Sequence, residues 1–233
     1  MRMVRQITPT RKPATMTMTA DASARDLLAL AQWLSPAFPV GGFAFSHGLD
    51  HAVAAGDLRD AAGFGGWLDA VLRFGAGRSD AILLTQAMAG GDPEVLNDLA
   101  AALCPCRERW HETLTQGRAF VRTTNAICST ALAADCALPV AVGARARGLS
   151  VPAATVAALY LQAFAGNLTS IATRIVPLGQ TEAQAVLAGL ADTLATLGAA
   201  AARSGLDDLA SGVPGADLAA MLHETQEVRL FQS

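Results

Sequence analysis

The stretch from Trp33 to Asp50, Trp-Leu-Ser-Pro-Ala-Phe-Pro-Val-Gly-Gly-Phe-Ala-Phe-Ser-His-Gly-Leu-Asp, constrains the fold of this chain more than any other. Pro36 and Pro39 fix φ and bar a helix. Gly41 and Gly42 permit positive φ or close backbone approach. Yet Phe38, Val40, Phe43 and Phe45 are large apolar groups that gain by burial. A segment that cannot be regular and carries four such groups is expected to thread into a core between helices. Ser46 then reads as an N-cap, with a short helix from His47. A buried helix–helix connection accounts for these features, and so does a shaped surface that a partner recognises.

The chain on either side reads as helix. Asp21 and Ser23 are candidate caps for a first helix in which Leu27, Leu30, Ala31 and Leu34 recur at i, i+3, i+4, i+7, ended by Ser35-Pro36. Leu49, Ala52 and Val53 give a short helix closed by Gly56. Asp60 is set to cap the next, whose stripe of Phe64, Trp67, Leu68, Val71 and Leu72 stops at Gly75-Ala-Gly77. A helix over residues 80–89 is stopped by Gly90-Gly91. Asp92-Pro93 pairs an N-cap with proline in the first turn, and Pro105 ends that helix. Trp110, Leu114, Gly117 and Val121 continue at helical spacing toward Cys128. The longest helix is expected from near Ser150, with a seam of Leu161, Phe164, Leu168, Ile171 and Ile175. Tyr160, Asn167 and Arg174 repeat every seven residues on another side. Pro177-Leu-Gly179 is a turn, Thr181 and Gln184 form a capping box, and Leu187, Leu190, Leu194 and Leu197 line a further helix. A loop over residues 204–215 precedes a short helix around residues 218–226. No strand series with hairpin turns is found. The expectation is an all-α, bundle-like domain of about eight to ten helices over residues 21–233. Residues 1–20, without periodicity, read as a disordered tail.

Composition limits what such a domain can be. Apolar residues make up 52% and charged residues 16%, which excludes a wholly disordered chain. Aromatics are only 5%, so Ala, Leu and Val must build the core. A net charge of −3 supplies no field for nucleic acid. There is no unbroken apolar run of about 18 residues, so no membrane span is expected. The mean hydropathy of +0.34 implies surplus apolar surface, hence a subunit interface. Four cysteines without a signal peptide read as reduced thiols in a cytosol.

The motifs of nucleotide and hydrolytic chemistry are missing. The only lysine is Lys12, and no G-x-x-x-x-G-K-[ST] occurs. Gly63-Phe-Gly65-Gly66 lacks the dinucleotide-binding spacing. H-E-x-x-H and G-x-S-x-G are likewise absent. Two metal readings remain. His47 and His51, spaced i, i+4, would share a helix face beside Asp50 and could bind a transition metal; a polar helix face is the simpler account. Cys104-Pro-Cys106 with His111 could bind a soft metal, or the thiols are small buried groups at a helix break. Glu112 and Gln116, one turn apart, read either as a surface pair or, with Arg118, as a contact patch.

The chain also resembles a known family. Leu34-Ser-Pro-Ala-Phe-Pro-Val-Gly-Gly-Phe-Ala-Phe-Ser-His-Gly-Leu-Asp50 is similar to the N-terminal signature of the urease accessory protein family UreF. Three further stretches agree in order and spacing: Glu112-Thr-Leu-Thr-Gln-Gly-Arg-Ala-Phe120, Arg174-Ile-Val-Pro-Leu-Gly-Gln-Thr181 and His223-Glu-Thr-Gln-Glu-Val-Arg-Leu-Phe-Gln-Ser233. Phe45 and Asp50 stand where the family has Tyr and Glu. Glu227-Val228 and Gln232 stand where it has Tyr-Thr and Arg. The resemblance implies a helical, cytoplasmic, non-catalytic scaffold without a cofactor of its own. It implies pairing with UreD, recruitment of the GTPase UreG, delivery of nickel to apo-urease, and UreF dimers. The implied partner-binding residues are Phe45, Ser46, His47, Gly48 and Asp50 in the signature, and Glu112, Gln116 and Arg118 in the second stretch. Arg174, Gly179 and Gln180 follow in the third, with Arg174 regulatory. His223, Glu224, Gln226, Arg229 and Phe231 complete them in the tail. The rival is a metallochaperone that binds nickel through His47/His51 or Cys104/Cys106.

Overall fold

The structure, a computed structural model, describes residues 19–232, with side chains from residue 24. Lys12 and nearly all of the tail expected over residues 1–20 lie outside the described residues. The described chain is all-α, with no strand. In order the helices are α1 (Thr19–Trp33), α2 (Leu49–Ala54), α3 (Ala61–Phe74), α4 (Ala76–Met88), α5 (Pro93–Leu103) and α6 (Arg107–Ile127). They continue as α7 (Leu138–Ala146), α8 (Ala153–Ile175), α9 (Gln180–Gly189), α10 (Ala191–Ala201) and α11 (Pro214–His223). Single 3₁₀ turns lie at Gly42–Ala44 and Leu206–Asp208.

Several boundaries fall where local chemistry puts them. Asp60 accepts the Gly63 N–H at 2.8 Å and starts α3. Asp92 accepts from Glu94 N at 2.9 Å ahead of Pro93, and Gly90 at φ 95 closes α4. Others differ. Asp21 and Ser23 lie inside α1, not before it. α2 begins at Leu49, because His47 and Gly48 both take positive φ; Ser46 Oγ still accepts from Asp50 N at 3.2 Å. α4 begins at Ala76, four residues early, since Gly75 alone makes the bend. The cap of α9 is the Glu182 carboxylate receiving Gly179 N at 2.8 Å, so Thr181 and Gln184 are not the box. The helix expected through Leu197 breaks at Leu190 into α9 and α10, and the last helix runs over Pro214–His223. α7 has no counterpart in the sequence reading: Pro139, Val140, Ala141, Val142 and Gly143 are all buried, so the segment has no polar face to set a period.

α8 is the central helix. It packs against α10, α4, α9 and α3, while α7 bridges α4 and α6. Phe64, Leu68, Phe120, Leu161 and Leu168 are fully enclosed there, at about 1.5–3 kcal/mol of transfer free energy for each large side chain. The small residues let backbones approach: a Cβ on Gly117 would lie 1.8 Å from Cys136 O, so only glycine admits the α7 entry against α6. A second, smaller core of Leu83, Ala87, Leu96, Ala100, Ala137 and Val140 joins α4, α5 and α7. Among the described residues no single helix is long and apolar enough to cross a membrane.

Candidate functional site

The signature turn does enter the core, but selectively. Phe38 and Phe45 are buried and Val40 half-buried, whereas Phe43 is 65% exposed, because the 3₁₀ turn rotates it outward. Gly41 takes φ 76 to make that turn, and Asn167 of α8 donates to Gly42 O at 2.9 Å. Gly48, at φ 79, presses on α11, where an added Cβ would meet Ala220 N at 2.7 Å. The signature is thereby fixed to both α8 and α11.

The chain's last residues fold back over this junction. The buried Asp50 carboxylate accepts from the backbone N–H of Leu230 at 2.8 Å and of Phe231 at 3.2 Å. Gln232 N donates to Ala44 O at 2.8 Å. His51 Nδ1 meets Gln226 Oε1 at 2.9 Å. His223, wholly buried, sits between two carboxylates, with Nδ1 2.7 Å from Glu108 and Nε2 3.5 Å from Asp50. Arg229 Nη1 donates to Glu108 at 2.8 Å. Glu224 accepts from the first turn of α6, at Glu108 N (3.1 Å) and Arg107 Nη2 (3.4 Å). Burial opposes ionisation of Glu224, but those amide and guanidinium donors outweigh it and hold the carboxyl below its ordinary value. The tail is thus held by polar contacts, while Val228 and Leu230 face solvent, as do Leu218, Met221 and Leu222 of α11.

A second polar group lies deeper. Glu112 and Gln116 are buried, which corrects their reading as a surface pair. Gln116 Nε2 donates to Glu112 Oε1 at 3.2 Å, and Arg109 Nη1 pairs with Glu112 Oε2. Tyr160 donates to Asp80 Oδ2 at 2.8 Å. Burial pushes the Asp80 carboxyl up to about 6, although Arg109 and the Tyr160 hydroxyl pull it down. Burial, reinforced by Arg109, pushes His47 well below the usual imidazole range. Burial and the neighbouring Asp80 raise Tyr160. Asp80, Glu108 and Arg109 were missed in the sequence. Asp80 directly before Ala-Ile-Leu-Leu resembles a helix cap, but in a helix interior the same pattern signals a buried, partnered carboxylate.

The remaining expected residues scatter. Arg118 is exposed and paired with Asp135 at 2.6 Å. Gly179 and Gln180 are exposed at the α9 start. Arg174 is exposed in the last turn of α8; of its seven-residue row, Tyr160 turns inward to Asp80 and Asn167 meets the signature. Phe45, Ser46, His47, Asp50 and His223 are buried, so they shape the surface from beneath.

The metal readings fare poorly. His47 lies outside α2 with its ring against Phe164 (5.3 Å) and Trp67 (6.3 Å), whereas His51 is turned to Gln226, so the two share no face. Cys104 Sγ points to Ala100 O at 3.2 Å, and burial raises its thiol to about 11. His111 instead stacks edge-on with Phe45 at 6.3 Å. Among the described residues, no group of three or more His, Cys, Asp or Glu is placed to hold a metal ion.

Comparison with known proteins points one way. A family model described as UreF matches residues 58–191. The urease accessory protein UreF of Cereibacter sphaeroides (strain ATCC 17029) is 54% identical over 207 residues, covering 89% of this chain and 98% of that protein. UreF of Dinoroseobacter shibae is 52% identical over 88% of this chain and 98% of its own. UreF of Rhodopseudomonas palustris (strain BisA53) is 47% identical over 91% and 95%.

Proposed function

Since the chain belongs to the UreF family of urease accessory proteins, we propose that it serves urease maturation as a non-catalytic scaffold in the cytoplasm. It docks on UreD, recruits the GTPase UreG, and so promotes delivery of nickel to apo-urease without ligating the metal itself. The observation that carries this reading is the similarity of nearly the whole chain to UreF proteins. The geometry supports it at the tail. Leu218, Met221 and Leu222 of α11 and Val228 and Leu230 of the tail are exposed, and ion pairs Arg107–Glu224 and Arg229–Glu108 tie the same segment to α6, a mix of apolar and charged groups suited to partner binding. UreD is assigned to this face. Arg174, exposed and without an ion pair among the described residues, is assigned to control of UreG, because its planar fork can grip a carboxylate or phosphate. Phe43, exposed in the signature turn, is assigned to a UreF dimer.

Co-purification tests the reading. The full chain, mixed with UreD and UreG, is expected to elute with both. Deleting residues 224–233 is expected to abolish UreD binding while helical circular dichroism persists. Undiminished UreD binding by the shortened chain would refute the assignment of the tail face.

A further inference from the structure

Beneath the signature turn, five buried polar side chains from four parts of the chain converge: His47 of the turn, Asp80 of α4, Arg109 and Glu112 of α6, and Tyr160 of α8. Their charges do not balance. Two carboxylates face one guanidinium, and the imidazole is kept neutral by burial. With both carboxylates ionised, one negative charge is left over in a place that water barely reaches. The cluster is nevertheless connected to solvent. A cleft of about 20 Å³, room for roughly one water, is lined by His47, Asp80, Cys104 and Arg109 together with Ser211 and Asp217. The turn above it is strained. His47 is the one non-glycine residue with positive φ (59°) among the described residues. Its Nδ1 is buried without a hydrogen bond, 4.0 Å from Glu112 Oε2.

We propose that this junction is a proton-responsive latch on the His47 turn, tight when Asp80 is protonated and loosened when Asp80 is ionised. The charged and hydrogen-bonding groups that bear on Asp80 are Arg109, Tyr160 and Glu112. Arg109 and Glu112 act on it from α6 and Tyr160 from α8, while His47 of the turn, Cys104 at the end of α5 and Asp217 of α11 line the same cleft. An ionised Asp80 competes with Glu112 for Arg109 and carries the unbalanced charge. A protonated Asp80 removes that charge, leaves Arg109 to Glu112, and keeps its hydrogen bond with Tyr160. The positive-φ turn then rests on a support with no net charge.

The sign follows from linkage. In the closed junction Asp80 titrates at about 6; once opened to water it returns toward 3.8. The closed form therefore binds the proton more tightly. Opening becomes easier as pH rises from about 4 to about 6 and levels off above, and between pH 5 and 7 the opening equilibrium grows about tenfold. The turn is thus looser at neutral pH and locked in mild acid. This goes beyond the scaffold reading and does not depend on which partner meets the tail.

The test is amide hydrogen exchange of the full-length protein over residues 45–53, from pH 5 to 7.5, corrected for the intrinsic pH dependence of exchange with an unfolded reference. Wild type is expected to lose about tenfold protection between pH 5 and 7. Asp80→Asn is expected to hold the acid level of protection at every pH. Tyr160→Phe removes a hydrogen bond that favours the carboxylate, so the midpoint is expected to move to higher pH; this variant keeps the test alive should Asp80→Asn misfold. Protection that does not change between pH 5 and 7, an unaltered pH profile in Asp80→Asn, or an unmoved midpoint in Tyr160→Phe would each overturn the latch.

Discussion

Replacing Asp50 by Ala is the sharpest probe of how the signature and the tail hold one another. The Asp50 carboxylate takes two backbone N–H groups of the tail, at 2.8 and 3.2 Å, and faces His223 at 3.5 Å. A hydrogen bond to a charged group contributes about 1.5–3 kcal/mol. Two together would reach roughly 3–6 kcal/mol, but the freed amides at Leu230 and Phe231 are only partly buried and regain water, so about 2–3 kcal/mol of docking is expected to go. That is a rise in the open tail of roughly 30- to 140-fold, at about 1.4 kcal/mol per tenfold. Contacts of Gln232, Gln226 and Arg229 with Ala44, His51 and Glu108 remain, so the tail loosens without detaching. Asp50→Asn keeps one acceptor oxygen and is expected to fall between. The assay is hydrogen exchange of residues 224–232 together with limited proteolysis. A tail as protected in Asp50→Ala as in wild type would show that the carboxylate is not the anchor and refute the reasoning.

Three further variants separate structure from function. Gly48→Ala adds a Cβ 2.7 Å from Ala220 N at a backbone φ of 79, so thermal melting is expected to show a loss of about 2 kcal/mol or more. Arg174→Ala, at an exposed helix end, is expected to cost at most about 1 kcal/mol in the melt yet to yield poorly nickel-loaded urease; normal activation would remove Arg174 from the regulatory role. Converting Cys104 and Cys106 to Ser is expected to leave urease activation near wild type, and a large loss with the fold intact would count against a scaffold that does not touch the metal.

The legible parts of this fold are those where one local signal decides. Asp60, Asp92-Pro93 and Gly90 place helix ends because capping chemistry acts over three or four residues. α7 was invisible for the opposite reason: with every side of Pro139 to Gly143 buried, the polar–apolar rhythm that reveals a helix is missing. The break at Leu190 was hidden because leucines at helical spacing serve two short helices as well as one. At the site, sequence similarity found the signature and tail, but not that Asp50 and the backbone of Leu230 and Phe231 join them, since a side chain that binds backbone leaves no complementary residue type to read. Glu112 and Gln116 looked like a surface pair because i, i+4 spacing fixes that they are neighbours and says nothing about which way they face. Arg109, three residues before Glu112, supplies the partner that makes the carboxylate's burial tolerable.

The central claim, that this chain acts in urease maturation, is tested most directly by nickel content. A urease-producing strain lacking its own UreF is supplied with this protein, and purified urease is assayed for nickel per active site alongside activity. Nickel loading and activity are expected to rise together toward wild type, and the chain lacking residues 224–233 is expected to restore neither. Urease that stays nickel-poor in the presence of folded, full-length protein alongside UreD and UreG would contradict the claim.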